Sequence, residues 1–206
     1  MVYIQILGCG VFVLSSILLA ILLRKYPTEK VRYTTTMILH HIGFWGLLMP
    51  LAIGIFYPGI TSYDIILGIP SLPFRPVAVT IGVLLVPISI FYIFISWLGI
   101  TGIGQGAPAI NLTKKMVDEL VYKTSRNPMS FGFYAGCLAL GFVAGSTYFT
   151  LWVLLEVIPG HILYLKKFEE LELEMRFGQS YIEYKKHTPF LIPKIRSGFK
   201  APSNAR

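Results

Sequence analysis

The sequence predicts an all-α, polytopic membrane helix bundle with five transmembrane helices and a short cytosolic C-terminal helix, and three observations carry that reading. Hydrophobic residues make up 54% of the 206 and charged residues 14%, with a mean hydropathy of +0.66, whereas soluble domains are roughly a quarter charged. A single core of this size cannot hide so much apolar surface, so lipid must cover part of it. The 18 Lys and Arg fall in short clusters between long uncharged runs, the layout of loops that flank membrane spans. A basic stripe interleaved with exposed aromatics, which nucleic-acid binding needs, is missing.

Val2 to Leu23 is an uncharged run of 22 residues, about 33 Å of helix, enough to cross a hydrocarbon core of roughly 30 Å. A cleaved signal would carry basic residues before its apolar core; here Arg24 and Lys25 follow it, so a retained first span is expected. Thr34 to Phe56 gives the second, ended by Tyr57-Pro58-Gly59, and the loop to Pro76 is broken by Pro70 and Pro73. Val77 to Leu98 gives the third, with Pro87 expected to kink it. Met129 to Leu165 is 37 residues with one charge, Glu156; as a single helix it would be about 55 Å long. It must fold back, and Gly145-Ser146-Thr147 is the best turn, giving spans Ser130 to Ala144 and Tyr148 to Leu165.

Charge supports five spans over four. The loops Arg24 to Tyr33 and Gly102 to Arg126 and the tail after Leu165 then share one side, with 4, 4 and 9 Lys/Arg against Arg75 alone on the other. That asymmetry puts the basic side in the cytoplasm and the N-terminus outside. The chain divides into a three-helix membrane part (1–101), a cofactor-binding part with a transmembrane hairpin and the C-terminal helix (102–193), and a tail (194–206) that lacks apolar periodicity and is set aside. Cys9 and Cys137 each lie in an apolar run and read as fillers.

Polar residues suited to chemistry cluster after the third span. Gly102-Ile103-Gly104-Gln105-Gly106-Ala107-Pro108 offers glycines for close backbone approach, but no strand precedes them, so a dinucleotide fingerprint is not expected. The sequon Asn111-Leu112-Thr113 falls on the cytoplasmic side and is taken as chance. Tyr122, Lys123 and Arg126-Asn127-Pro128-Met129 come immediately before the fourth span. Beyond the fifth come the adjacent Glu169 and Glu170, about 100° apart on a helix, so that at most one faces a given partner. Glu172 and Arg176 read as an ordinary i, i+4 surface pair. Glu156 within the fifth span is either a site residue or an interhelical hydrogen-bonding group. His40 and His41, near the cytoplasmic end of the second span, either line the site or hydrogen-bond between helices, the second being the simpler reading, and no set of ligands converges on a metal.

Arg126-Asn127-Pro128-Met129, a helical hairpin, and then Glu169-Glu170-x-x-Leu173-x-x-x-Phe177-Gly178-x-x-Tyr181-x-x-Tyr184 ending in Pro189 and Pro193 resemble the isoprenylcysteine carboxyl methyltransferase and phospholipid methyltransferase family. The resemblance covers roughly Gly104 to Pro193, with Leu120-Val121 and Ser130 departing from the usual pattern. It implies S-adenosylmethionine as donor, S-adenosylhomocysteine as product, and no Rossmann fold. It makes Arg126 and Glu170 the expected catalytic pair. The expected cofactor-binding residues are Gly104, Gln105, Gly106, Tyr122, Asn127, Pro128, Met129, Glu169, Tyr181, Tyr184, His187 and Pro189.

The expected activity is O-methylation of the carboxylate of a prenylated cysteine or similar lipophilic acceptor drawn from the bilayer. Such an acceptor is already ionised and needs only orientation and desolvation, a task suited to the planar fork of an arginine. N-methylation of a phospholipid amine is the alternative and needs a base. An NADPH-dependent, sterol-reductase-like enzyme is the second alternative, less consistent with the paired glutamates. A transporter would spread polar residues along several spans near the midplane, which this chain does not.

Overall fold

The structure is a computed structural model that describes residues 2–108 and 111–194; residues 195–206 of the tail lie outside the described residues. It is all-helical, with no strand among the described residues. We number the elements α1 (Val2–Lys25), α2 (Glu29–Tyr57), α3 (Ser62–Leu67), α4 (Arg75–Ile103), α5 (Pro128–Ala144), α6 (Thr147–Phe177) and α7 (Gln179–His187). By length and composition α1, α2, α4 and α6 can each cross a membrane, and α5 is a shorter apolar helix of 17 residues. Side chains such as Leu7, Leu18, Ile81, Leu84, Ile90 and Leu155 remain exposed on these helices, a surface that lipid covers at no cost.

Local chemistry sets the boundaries. Thr28 caps α2 by accepting from Val31 N at 3.3 Å, one of the four amide groups a helix start leaves unpaired. At Tyr57 the backbone leaves helical geometry (φ −147°, ψ 120°) and ends α2. The hairpin turn falls where the sequence placed it: Gly145 takes φ 72°, a conformation that favours glycine, and Ser146 caps α6 by accepting from Phe149 N at 3.1 Å. The buried Asp64 reinforces this cap, accepting from Tyr148 N at 2.8 Å and from the Ser146 hydroxyl.

Close helix approach relies on small residues, as expected where lipid supplies no hydrophobic drive between helices. On α5, a methyl at Gly132 would stand 2.9 Å from Tyr92 Cβ, and one at Gly136 would stand 2.6 Å from Ser89 Oγ. Gly8 of α1 similarly abuts the Gly46 carbonyl of α2. The buried core draws on both halves of the chain, with Phe12, Leu23 and Leu39 meeting Cys137, Val153 and Phe168.

The fifth span does not stop at Leu165. Helix α6 continues to Phe177 because Leu165, Phe168, Leu171 and Met175 keep one face packed on the core after Lys166 and Lys167 have reached the surface. A π-helical segment at Leu165–Glu169 lies just before Glu170; such segments insert a residue and re-aim the side chains after it. Gly178 (φ 57°) then breaks the chain into α7. Glu156 is half-buried and accepts from Trp152 Nε1 on its own helix at 3.1 Å, so its bond is within a helix and not between helices.

Candidate functional site

The ends of α5 and α6 opposite their connecting turn come together. Arg126 Nη1 lies 2.8 Å from Glu170 Oε1, with the side chains 10% and 11% exposed. The pairing is one of charge without a directed hydrogen bond: these two atoms and Arg126 Nε are buried with hydrogen-bonding capacity unspent. The other Glu170 oxygen takes Lys185 Nζ of α7 at 2.7 Å. Burial opposes the charge on Lys185, but Glu170 and Glu174 outweigh it and hold its pKa above the ordinary lysine value.

The segment before α5 is pinned by the chain after α7. Arg126 N donates to Pro189 O (2.8 Å), Ser125 Oγ to Leu191 O (2.8 Å), Asn127 Nδ2 to Phe190 O (2.8 Å), and Lys194 N to Thr124 O (2.9 Å). Tyr184 donates its hydroxyl to Tyr122 O at 2.7 Å. The Phe190 ring lies under the Arg126 guanidinium, 5.6 Å from ring centre to Cζ, a favourable cation–π placement.

Behind this closure lies a cavity of about 470 Å³, inside the roughly 300–1,000 Å³ range of small-molecule sites. Of the residues expected from the sequence, Tyr122, Arg126, Asn127, Pro128 and Met129 line it from one side, and Glu169, Tyr181 and Tyr184 from the other. Burial pushes the phenols of Tyr122, Tyr181 and Tyr184 up in pKa, so all three are neutral hydrogen-bonding groups at physiological pH. Glu169 stands in no ion pair among the described residues.

The structure does not bring the other expected residues to the cavity wall. Gly104 and Gly106 serve packing: a methyl on Gly104 would stand 2.7 Å from Ile100 O, and one on Gly106 would stand 2.9 Å from Thr113 Cα. Gln105 holds φ 53° beside them. It is their neighbours Ala107, Pro108 and Thr113 that line the cavity. Glu170 closes the site from behind Arg126. His187 and Pro189 border a separate basic hollow with Lys123, Lys186 and Lys194.

The pair Glu172 and Arg176 is not a surface pair. Glu172 is 2% exposed and bridges two guanidiniums, Arg32 Nη1 at 2.6 Å and Arg176 Nη2 at 3.1 Å. Both Glu172 and Arg176 line the cavity, as do Thr36 and His40 of α2. His40 leaves its Nδ1 buried and unpartnered, whereas His41 Nδ1 bonds Met37 O in its own helix at 2.8 Å. Glu169, Glu172 and Arg176 are spaced i, i+3, i+7, one helical face, a signal present in the sequence. The participation of Thr36 and of the segment 111–117 had none, since both arrive by long-range folding.

The cavity has two chemically different walls. On α2 the lining runs from Thr36 to Leu48, about 18 Å of helix, and passes from Thr36 and His40 to Phe44, Leu47 and Leu48. Ile93 and Phe133 extend the apolar part from α4 and α5. No cluster of three or more metal-ligating side chains occurs among the described residues.

A family model described as phospholipid methyltransferase matches residues 77–180, half of the chain, from the start of α4 through α6 to the first turn of α7. No curated protein and no solved structure matches.

Proposed function

The chain belongs to the phospholipid methyltransferase family, and from that premise we propose that it is an integral membrane, S-adenosylmethionine-dependent methyltransferase acting on the polar head of a lipophilic acceptor. One observation carries the reading: a single cavity joins the buried polar end around Arg126, Glu169 and Tyr181 to an apolar trough between the helices. An acceptor with a lipid tail has both of the environments it requires, and the tail need not leave the bilayer. On this reading the polar end faces the cytosol and the N-terminus lies outside, as the asymmetry of basic residues favours, so that a soluble donor and a membrane acceptor meet at the boundary.

The polar end fits a zwitterionic donor. Arg126 Nε is buried without a hydrogen-bond partner, which a carboxylate would satisfy, and Glu169 on the cavity wall offers a negative charge to an ammonium. Arg126, Asn127, Tyr122, Glu169 and Tyr181 would hold the molecule. Bound S-adenosylmethionine supplies an electrophilic methyl group, so the protein's own task is alignment. The bonds from residues 189–191 fix Arg126 and Asn127 before any ligand arrives, and the buried phenols keep bulk water from the reacting atoms.

For a carboxylate acceptor, such as a prenylated cysteine, a guanidinium that orients the oxygen suffices. For an amine acceptor the ammonium proton must go to a base first, and Glu169, a carboxylate on the cavity wall outside any ion pair, favours this second reading. The test is radiolabelled methyl transfer by the purified protein to a prenylcysteine analogue and to phosphatidylethanolamine, together with S-adenosylhomocysteine and NADPH binding. Arg126→Gln and Glu170→Gln should each abolish donor binding or turnover. Wild-type activity in both variants, or binding of NADPH and not S-adenosylhomocysteine, refutes the assignment.

A further inference from the structure

Resting on that reading, the geometry points to a separate anion subsite in the same cavity, formed by Arg176 and His40, which receives the phosphate or carboxylate of the lipid acceptor. Two guanidiniums, Arg32 and Arg176, share the one buried carboxylate of Glu172; the only other carboxylate paired with either among the described residues is Glu29, 4.0 Å from Arg32 and 91% exposed, so the buried group of three carries one positive charge that solvent-screened Glu29 offsets only weakly. Arg32 and Arg176 are only 14% and 13% exposed, and an excess buried charge is costly unless something pairs with it.

The unspent valences lie on the two residues facing the cavity. Arg176 uses Nη2 on Glu172 and Nη1 on Thr113 O at 3.1 Å, and its buried Nε has no partner. His40 Nδ1 is likewise buried without a partner. Both side chains line the cavity, Arg176 from α6 and His40 from α2, so an oxyanion lying between them would accept from each. Thr36 beside them has spent its hydroxyl proton on Arg32 O at 2.8 Å and adds no donor. Glu169, two helical turns before Arg176 on the same face, offers the opposite charge to the cationic part of a zwitterionic head group.

The subsite is distinct from the donor-binding end. Arg126 is matched by Glu170, while Arg176 and Arg32 share Glu172 as their one buried partner, the exposed Glu29 lying 4.0 Å from Arg32 Nη2. Arg32 and His40 lie outside the segment matched by the family model, residues 77–180, whereas Arg176 lies within it. Arg32 and Glu172 act as positioning residues: they fix the Arg176 guanidinium, which in turn ties the loop at Thr113 over the cavity.

The test uses full-length protein in lipid nanodiscs, with Arg176→Gln, His40→Gln and the charge-keeping Arg176→Lys. Arg176→Gln leaves Arg32 and Glu172 as a neutral pair, and a thermal melt of each variant checks that the fold is retained. S-adenosylhomocysteine affinity is measured by calorimetry, and methyl transfer is followed to phosphatidylethanolamine, to a prenylcysteine carboxylate and to a long-chain fatty amine without an acid group. Loss of one charge-assisted contact should raise KM for the acid-bearing acceptor by about tenfold or more, with a smaller change in kcat. Arg176→Lys should recover part of the loss, and KM for the fatty amine and S-adenosylhomocysteine affinity should stay near wild type. Which acid-bearing acceptor responds, phosphate or carboxylate, identifies the source of the anion. A fall in S-adenosylhomocysteine affinity in Arg176→Gln assigns the anion to the donor and overturns the subsite, as does an equal rise in KM for the fatty amine. A folded wild type that binds no S-adenosylhomocysteine overturns the methyltransferase reading instead.

Discussion

Replacing Glu172 by alanine separates two pictures of the same pair. On a solvated face an i, i+4 Glu–Arg pair contributes about 0.3–0.5 kcal/mol, and its loss would move the melting temperature by about 1–2 °C at ~2–4 °C per kcal/mol for a chain of this size. In the structure the carboxylate is 2% exposed and holds Arg32 at 2.6 Å and Arg176 at 3.1 Å. Its removal strands two buried guanidiniums, and breaking a buried pair in this way costs about 3–5 kcal/mol. The expected fall is about 6–20 °C, read as tryptophan fluorescence against temperature for protein purified in maltoside micelles. The triple variant Arg32→Met, Glu172→Leu, Arg176→Met carries no stranded charge and should regain most of the loss, because apolar side chains of similar volume replace buried ion groups well. A fall under about 2 °C in Glu172→Ala would mean that water reaches the cluster, and the argument from burial would be wrong.

Further tests address the fold around the site. Gly132→Ala would place a methyl 2.9 Å from Tyr92 Cβ and 3.0 Å from Ile93 N and should destabilise by about 1–3 kcal/mol. Gly10→Ala, with nothing within 4 Å, should be neutral or stabilising by up to ~1 kcal/mol, so a larger loss at Gly10 than at Gly132 in thermal melts would contradict the packing. Asp64→Ala removes the acceptor of Tyr148 N and of the Ser146 hydroxyl and should cost about 0.5–2 kcal/mol with little change in turnover per folded molecule, since it lies at the end remote from the cavity. Alkaline titration tests the raised phenols: Tyr122, Tyr181 and Tyr184 bind their protons more tightly folded than unfolded. Their contribution to stability is therefore complete below pH ~10 and is lost as pH climbs toward the raised values. Phenolate absorbance showing these three ionised at pH ~10 in folded protein would count against their burial.

Much of the architecture was legible because the determinants are local. Uncharged runs located the spans, Gly145 and Ser146 placed the hairpin turn, and a hairpin returns its two free ends, which carry Arg126 and Glu170, to the same end of the bundle. The extension of α6 past Leu165 was missed because Lys166 and Lys167 look like a membrane exit, yet on a helix they occupy one face while Phe168 and Leu171 continue another. Glu172 looked like a surface partner of Arg176 because the sequence holds no sign of Arg32, 140 residues away. The glycines at 104 and 106 suggested ligand approach, but their close neighbours are Ile100 and Thr113. His187 and Pro189 followed the motif in line, and the turn after α7 carries them to another face.

The bonds from residues 189–191 to the segment around Arg126 join two stretches about 60 residues apart, both outside the apolar helices. The helices can therefore pack without them, while the backbone before α5 takes its position only once that later stretch has folded back. A chain cut after Gln179 would keep every apolar helix yet lack the bonds that hold Ser125, Arg126 and Asn127 in place.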